Sequence, residues 1–379
     1  MNSTQFSWIA ASAFGLEGAI SGELKRLGMS NVHSENGFVR FTGTLQDAWK
    51  ANLSVRFSDR IFLLLKECDC YSFEDLYQNI YSIPWENYTS GKEAFNVTAQ
   101  CARSKLMSVR DCQSVSKKAL INRLKEYTKQ EIFPETGFAF PVHIAIHTNH
   151  VRIMLNTSGP SLSRRGYRTW NGEAPLRETL AASLVEYSPW RPGMPLYDPC
   201  CGTATILIEA ALRMGHIAPG LQRNFAMEQF SFFPRQDAYQ LKTKIQEQSA
   251  PERIAFISGS DISDKAIELA NKHINQANLQ NRINVSVQSL QNVNLTEKNG
   301  VFICNPPYGE RLNTKEQCHE LYHDLSELQR RHPTWNMCAI SSDTDFEKSY
   351  GRRADRKRKL YNGTIECYYY CYHALIRED

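Results

Sequence analysis

The stretch Asn305-Pro306-Pro307-Tyr308 gathers an amide side chain, two proline carbonyls and an aromatic ring in one turn. Two prolines fix φ and remove two backbone donors, so the turn accepts hydrogen bonds better than it donates them. Such a set suits a planar substrate carrying an exocyclic amine. The plainer alternative is a proline-rich strand-to-helix loop. A second candidate is Asp198-Pro199-Cys200-Cys201-Gly202-Thr203-Ala204-Thr205. Its glycine lets backbone approach a ligand closely, and the helix that follows offers free amides. It is neither a Walker loop nor G-x-G-x-x-G. The acidic residue ahead of the turn repels phosphate and suits the ammonium group of an amino acid. Asp261 is the third candidate, a carboxylate able to accept from both hydroxyls of a ribose.

Each of these groups follows a short apolar run: Val301–Cys304 before Asn305, Pro195–Tyr197 before Asp198, and Ala255–Ile257 ahead of Asp261. Helices are predicted from the Asp198 loop to about Arg213, from Asp261 to about Ala277, and over 313–330. Further strands are predicted at Ile283–Val287 and Cys338–Ile340, and a terminal hairpin around Asn362-Gly363. Alternating strands and helices imply a doubly wound, Rossmann-like α/β sheet with its ligand crevice at the strand C-termini. Asp198, Asp261 and Asn305 then lie at three strand ends along one crevice. A nucleoside bearing an amino acid, beside an amine substrate, is the ligand set such a crevice accommodates, and S-adenosyl-L-methionine fits that description.

Ahead of residue 160 the pattern differs. A strand at 7–13, a helix with Leu16, Ile20, Leu24 and Leu27 on one face, strands near Val32 and at Phe38–Phe41, a helix at 44–53 and a strand at Ile61–Lys66 give a β-α-β-β-α-β order. A helix at Phe73–Ile80 and a strand at Phe95–Ala99 follow. A longer helix over 113–130 has Val115, Ala119, Leu120, Leu124 and Tyr127 inward. Val142–Ile146 and Val151–Leu155 read as a hairpin. Lys117 and Lys118 on the long helix are either solvated charge or contacts to a phosphate backbone.

The chain has 379 residues, 42% hydrophobic and 11% aromatic, which implies a folded protein of two or three domains. The net charge of +4 is mild and evenly spread, so any nucleic-acid surface is a local patch. Eleven scattered cysteines without C-x-x-C spacing indicate reduced thiols and a cytoplasmic protein. No apolar run approaches membrane-spanning length, and no signal peptide is recognisable.

The motifs Asp-Pro-x-Cys-Gly-x-x-Thr, Gly-Ser-Asp-Ile-Ser and Asn-Pro-Pro-Tyr-Gly-Glu-Arg-Leu resemble class I methyltransferases that alkylate exocyclic amines. Arg164–Arg168, Ala174–Ala182 and Ile217–Gly220 narrow the resemblance to bacterial rRNA guanine-N2 methyltransferases with a THUMP domain, the RlmL type, in a version with a single methyltransferase half. It implies a ferredoxin-like unit over 1–57, a THUMP RNA-binding domain over 58–160 and a Rossmann-like methyltransferase domain over 161–379. By the same resemblance, Asp198, Cys200, Gly202, Thr203 and Thr205 would hold the methionine end of the cofactor and Asp261 its ribose. Glu178 and Thr179, in the Ala174–Thr179 stretch, would supply a further wall. Asn305 would also touch the cofactor; with Pro306 it would accept from the target amine, and Tyr308 would stack on the base. Large-subunit rRNA or a ribosome precursor would be the partner.

Two departures stand out. Ala204 replaces a glycine, which implies a less close backbone approach to the cofactor. The acidic residue expected after the third strand is absent, leaving Gln288, Ser289 or Asn292 for the adenine. Arg352–Lys359 is rich in arginine and lysine and is expected to meet RNA phosphate through Arg356 and Lys357, with Arg164, Arg165 and Arg168 as further candidates. His319-Glu320-Leu321-Tyr322-His323 matches H-E-x-x-H, but its helix should bury Leu321, Leu325 and Leu328 with the histidines opposite, so no metal site is expected. Adenine-N6 DNA methylation, glutamine methylation in a protein and a non-catalytic RNA-binding assembly role are the alternatives.

Overall fold

The computed structural model describes residues 4–168, 176–308 and 314–376. Its elements are, in order, β1 (Phe6–Ala11), α1 (Glu17–Arg26), β2 (Ser30–Glu35), β3 (Phe38–Gly43), α2 (Leu45–Ser54), β4 (Arg60–Asp69), α3 (Phe73–Tyr81), β5 (Ala94–Ala102), α4 (Val109–Thr128), β6 (Ala139–His147) and β7 (His150–Asn156). There follow α5 (Glu178–Tyr187), β8 (Leu196–Asp198), α6 (Thr205–Met214), α7 (Arg235–Glu247), β9 (Ile257–Asp261), α8 (Asp264–Gln276), β10 (Ile283–Val287), β11 (Val301–Cys304), α9 (Lys315–Arg331), β12 (Asn336–Ser341), α10 (Phe346–Tyr350), β13 (Arg356–Asn362) and β14 (Ile365–Tyr372). Helix starts follow side-chain capping: Thr44 with Asp47, Ser72 with Asp75 and Thr314 with Gln317 form capping boxes.

The N-terminal half is one seven-stranded sheet ordered β2-β3-β1-β4-β7-β6-β5. β4 makes it continuous: residues 60–63 pair with β1, and residues 62–69 pair with β7. The strand therefore outruns the expected Ile61–Lys66. Alternation along the strands sorts two faces. Trp8, Ala10, Ile61, Leu63, Ile144 and Ile153 pack with Ile20, Trp49, Leu76 and Leu120 of α1–α4. Ile9, Phe38, Phe62 and Met154 form a separate cluster made of strand residues alone. Helix α4 begins earlier than expected because Ser108 caps it. Tyr127 does not face inward; it is 62% exposed, in the last turn before Lys129 adopts φ +58°.

The second sheet is ordered β10-β9-β8-β11-β12-β14-β13. The first five strands are parallel and the terminal hairpin is antiparallel. β9 starts later than expected, since Phe256 turns left-handed (φ +56°) and offers its carbonyl to Leu196. The order reverses at β8, which lies between β9 and β11, so the crevice opens where these three strands end. The two halves are docked tightly. Trp49 Nε1 donates to the Ala238 carbonyl at 2.8 Å, and a Cβ on Gly220 would lie 2.8 Å from Leu53 Cα. Beside them the buried Glu23 carboxylate accepts from the Arg56 amide with both oxygens, and burial pushes its pKa up to about 7. The eleven cysteines are free thiols.

Candidate active site

The loop after β8 is organised by two carboxylates. Asp198, 1% exposed, accepts from the Cys200 amide at 3.0 Å. Asp261, at the end of β9, accepts from the Gly202 amide at 2.9 Å and from Ser263 at 3.0 Å. Burial, with Asp261 adding like charge, holds the Asp198 carboxyl well above the usual carboxylate range. A cation bound there would relieve that penalty. The loop and β9 are as close as backbone allows, since a Cβ on Gly259 would stand 2.6 Å from the Asp198 carbonyl oxygen. Thr203 and Thr205 bring their hydroxyls to 3.5 Å at the start of α6. Ala204 does what a glycine would do: it adopts φ +63°, with its methyl buried in the core rather than in the crevice.

Glu178, the first residue of α5, is buried and pairs with Arg168 at 3.3 Å. Thr179 donates to Asp59 at 3.3 Å. Ala174 and Pro175 lie outside the described residues, as do Gly309–Leu312. Ser289 is half-buried, just beyond β10. Two apolar residues that the sequence reasoning passed over also mark the crevice rim. Ile262 is 78% exposed directly after Asp261, and Val287, 48% exposed, is in register with Asp261 on β10. An exposed isoleucine after a strand-end acid is the signal that could have found the first. Exposed apolar side chains flanking a polar crevice suit a flat heterocycle. Acid, close backbone, hydroxyls and apolar rim together fit a nucleoside bearing an amino acid, of the S-adenosyl-L-methionine type.

Asn305 continues directly from β11, and Pro306 is buried behind it. The Tyr308 hydroxyl donates to Asn305 Oδ1 at 3.0 Å, and Asn362 Nδ2 donates to that same hydroxyl at 3.1 Å. From α9, Tyr322 donates to the Pro307 carbonyl at 3.1 Å. The turn is thus anchored from two distant elements. Neither Tyr322 nor Asn362 was singled out for this by sequence reasoning, because nothing local in the chain ties them to the turn at 305–308.

The basic candidates separate. Arg165 is 3% exposed and is spent inside the fold on Glu209, the Leu162 carbonyl and the Arg56 carbonyl. Arg168 holds Glu178 and the Leu176 carbonyl. Neither guanidinium is presented to a phosphate backbone, which corrects the expectation for both. Of the three, only Arg164 is exposed. Lys117 pairs with Glu135 at 2.8 Å, whereas Lys118 is exposed. Arg356 and Lys357 lie on the edge strand β13. Lys357 pairs with Glu347 at 3.0 Å and sits over Tyr368 and Tyr370. In the H-E-x-x-H segment Tyr322 takes the fully buried position, with Leu321 only half-buried. His319 meets Asp343 at 3.1 Å and His323 meets Glu327 at 3.8 Å. His319, Asp343 and Asp345 bring ligand-type atoms within 4.8 Å of one another, with Lys315 3.7 Å from Asp345.

The open face of the first sheet carries a cavity of about 370 Å³ that sequence reasoning also missed, lined by residues including Phe38, Arg60, Phe62, His143 and Arg152. Arg152 lies over the Phe38 ring at 4.4 Å, and His143 stacks on Phe62 at 5.1 Å. Burial and the nearby Arg60 charge push His143 down to about 4, so it is neutral at pH 7.

Comparison with known proteins agrees with this geometry. Residues 165–370 match the UPF0020 family, the RMKL-like methyltransferase domain; residues 7–62 match the RlmL ferredoxin-like domain and 70–156 the THUMP domain. YpsC of Bacillus subtilis, provisionally named an RNA methyltransferase, is 33% identical over 98% of this chain and 97% of its own length. The ribosomal RNA large subunit methyltransferase K/L of Desulfotalea psychrophila is 34% identical over 96% of this chain, which spans only 52% of that protein. Among solved structures, SMU.472, provisionally described as a methyltransferase and complexed with SAH, gives a TM-score of 0.93 at 35% identity over the whole of both chains. A Listeria monocytogenes protein, described by prediction as an N6-adenine-specific DNA methylase, gives 0.92 at 36% identity over 97% of this chain and 96% of its own. No helix among the described residues is long and apolar enough to cross a membrane. The chain belongs to the RMKL-like methyltransferase family, as a THUMP-bearing member whose cofactor is S-adenosyl-L-methionine.

Proposed function

We propose that this chain methylates the exocyclic N2 amine of a guanine in RNA, with large-subunit rRNA or a ribosome precursor in the cytoplasm as substrate. One observation carries the reading: the amine-accepting turn Asn305–Tyr308 lies at the end of β11, beside the β8–β9 crevice, in a chain that also carries a THUMP domain. S-adenosyl-L-methionine, when bound, supplies the methyl group as an electrophile. Asp198 would face its ammonium group, Asp261 its ribose, Glu178 and Thr179 a side wall, and Ile262, Val287 and Ser289 the adenine. Asn305 Oδ1 and the Pro306 carbonyl would each accept a hydrogen of the target amine. Guanine N2 is delocalised into its ring, and two acceptors favour the pyramidal, nucleophilic form. They also stabilise the positive charge that develops on nitrogen. A proton then leaves to solvent, and no strong base is needed before attack. The base must be unpaired or flipped to reach the turn, where the Tyr308 ring would stack on it.

The test is transfer of tritiated methyl from S-adenosyl-L-methionine to separate RNA, DNA and protein fractions, followed by nucleoside analysis. N2-methylguanosine in large-subunit rRNA is expected. N6-methyladenine in DNA would replace this reading with the second one, which the description of the Listeria protein favours.

A further inference from the structure

Tyr308 and Asn305 hold each other in a way that a simple stacking role does not require. The hydroxyl of Tyr308 donates to Asn305 Oδ1, the atom that must accept the target amine if the proposed reaction is right. A phenol oxygen has its O–H on one side and a lone pair on the other. Asn362 Nδ2 occupies the lone-pair side at 3.1 Å, which fixes the O–H toward Asn305.

Asn362 is firmly placed. It closes β13 opposite Ile365, in a turn where Gly363 takes φ +67°. β14 binds the hairpin to β12, five residue pairs deep. On the other side the loop at Gly15 abuts it: a Cβ on Gly15 would lie 2.9 Å from the Lys359 carbonyl, and Phe14 meets Tyr361 edge-on at 5.7 Å. The Asn362 amide is therefore presented from a strand clamped on both sides.

We propose that Asn362 is a positioning residue acting through the Tyr308 hydroxyl, and that the Asn362–Tyr308–Asn305 chain holds the amine acceptor in place before substrate arrives. This rests on Asn305 being the acceptor. Asn305 Oδ1 has two lone pairs, so a target amine donates to one while the Tyr308 O–H keeps the other. The bond from Asn362 keeps the ring where it can stack. The Tyr308–Asn305 bond is kept when the amine arrives, and Asn305 is ordered beforehand.

The test is a double-mutant cycle read by single-turnover methyl transfer to unmethylated large-subunit rRNA. Asn362→Ala should lower the transfer rate about tenfold, the worth of one such hydrogen bond, with S-adenosylhomocysteine affinity unchanged. In a Tyr308→Phe background the same change should have no further effect, because its only route is the hydroxyl. Asn362→Thr, which suits strand pairing and is too short to reach the hydroxyl, should behave as the alanine variant and covers the case in which that variant misfolds. An equal loss in both backgrounds, or none in either, would overturn the proposal. A second readout needs no substrate. With tyrosine labelled by carbon-13 at Cζ, the Tyr308 signal, assigned by its loss in Tyr308→Phe, should move in Asn362→Thr. An unmoved signal would also overturn it. If wild-type protein methylates DNA or protein rather than RNA, the substrate reading fails, and the same cycle is run on the fraction that accepts methyl.

Discussion

Ala204 sits in the left-handed region with its methyl buried, between Gly202 and Thr205 of the crevice loop. A left-handed conformation costs a non-glycine residue about 1–2 kcal/mol. Against that, glycine would forfeit a buried methyl, about 0.8 kcal/mol, and add roughly 0.5–1 kcal/mol of chain entropy to the unfolded state. The terms nearly cancel, which explains how alanine persists there. Ala204→Gly should change stability by less than about 1 kcal/mol in denaturant melts and leave cofactor affinity nearly unchanged by calorimetry. A large gain in affinity would mean that the alanine does obstruct the site. At this scale the sequence was informative where chemistry is local. Asn305, Tyr308, Asp198 and Asp261 announce themselves by residue type beside an apolar run. Asn362 does not, because it reaches Tyr308 across 54 positions of chain. Arg165 and Arg168 misled for a related reason: a guanidinium that binds phosphate and one that satisfies buried carbonyls have the same letter.

The β13–β14 hairpin shows what an element adds to its residues. As the edge of the second sheet, β13 presents Arg356, Lys357, Arg358 and Lys359, charges that also discourage strand-to-strand association. They are not equivalent. Lys357 and Lys359 pair with Glu347 and Glu366, and Arg358 lies 4.0 Å over the Tyr187 ring. Arg356→Glu should therefore weaken RNA binding and reduce its salt dependence by about one counterion, read from affinity against salt concentration. Lys357→Glu should instead lower the melting temperature slightly, since an exposed pair contributes up to about 1 kcal/mol. Equal loss of affinity from the two substitutions would contradict the distinction. Periodicity and turn signals made most elements legible in advance, including the hairpin. Their ends were less so. β4 runs on to Asp69 because β7 supplies partners that its own sequence cannot reveal. β9 begins late because Phe256 is turned aside to bond β8.

Across the whole molecule, one sheet spans the ferredoxin-like and THUMP units, its helices on one side and its cavity on the other. In that cavity the Arg152 plane on Phe38 and the neutral His143 ring on Phe62 are surfaces on which an unpaired base could rest, with Arg60 nearby for phosphate. Arg60→Ala with Arg152→Ala should lower affinity for single-stranded RNA about tenfold in fluorescence anisotropy, while cofactor affinity holds. Unchanged RNA affinity would place the contact elsewhere.

The strand β4 has a consequence for how a substrate would be chosen. It leaves no linker between the first two units, and Trp49 and Arg56 lock them to the third. A grip on the first sheet and the turn at Asn305 are then the two jaws of a fixed caliper. An RNA held by both would be gauged by the span and angle between an unpaired segment and its target base. Selection would lie in the shape of the folded RNA, and a target presented at the wrong reach would be passed over whatever its sequence.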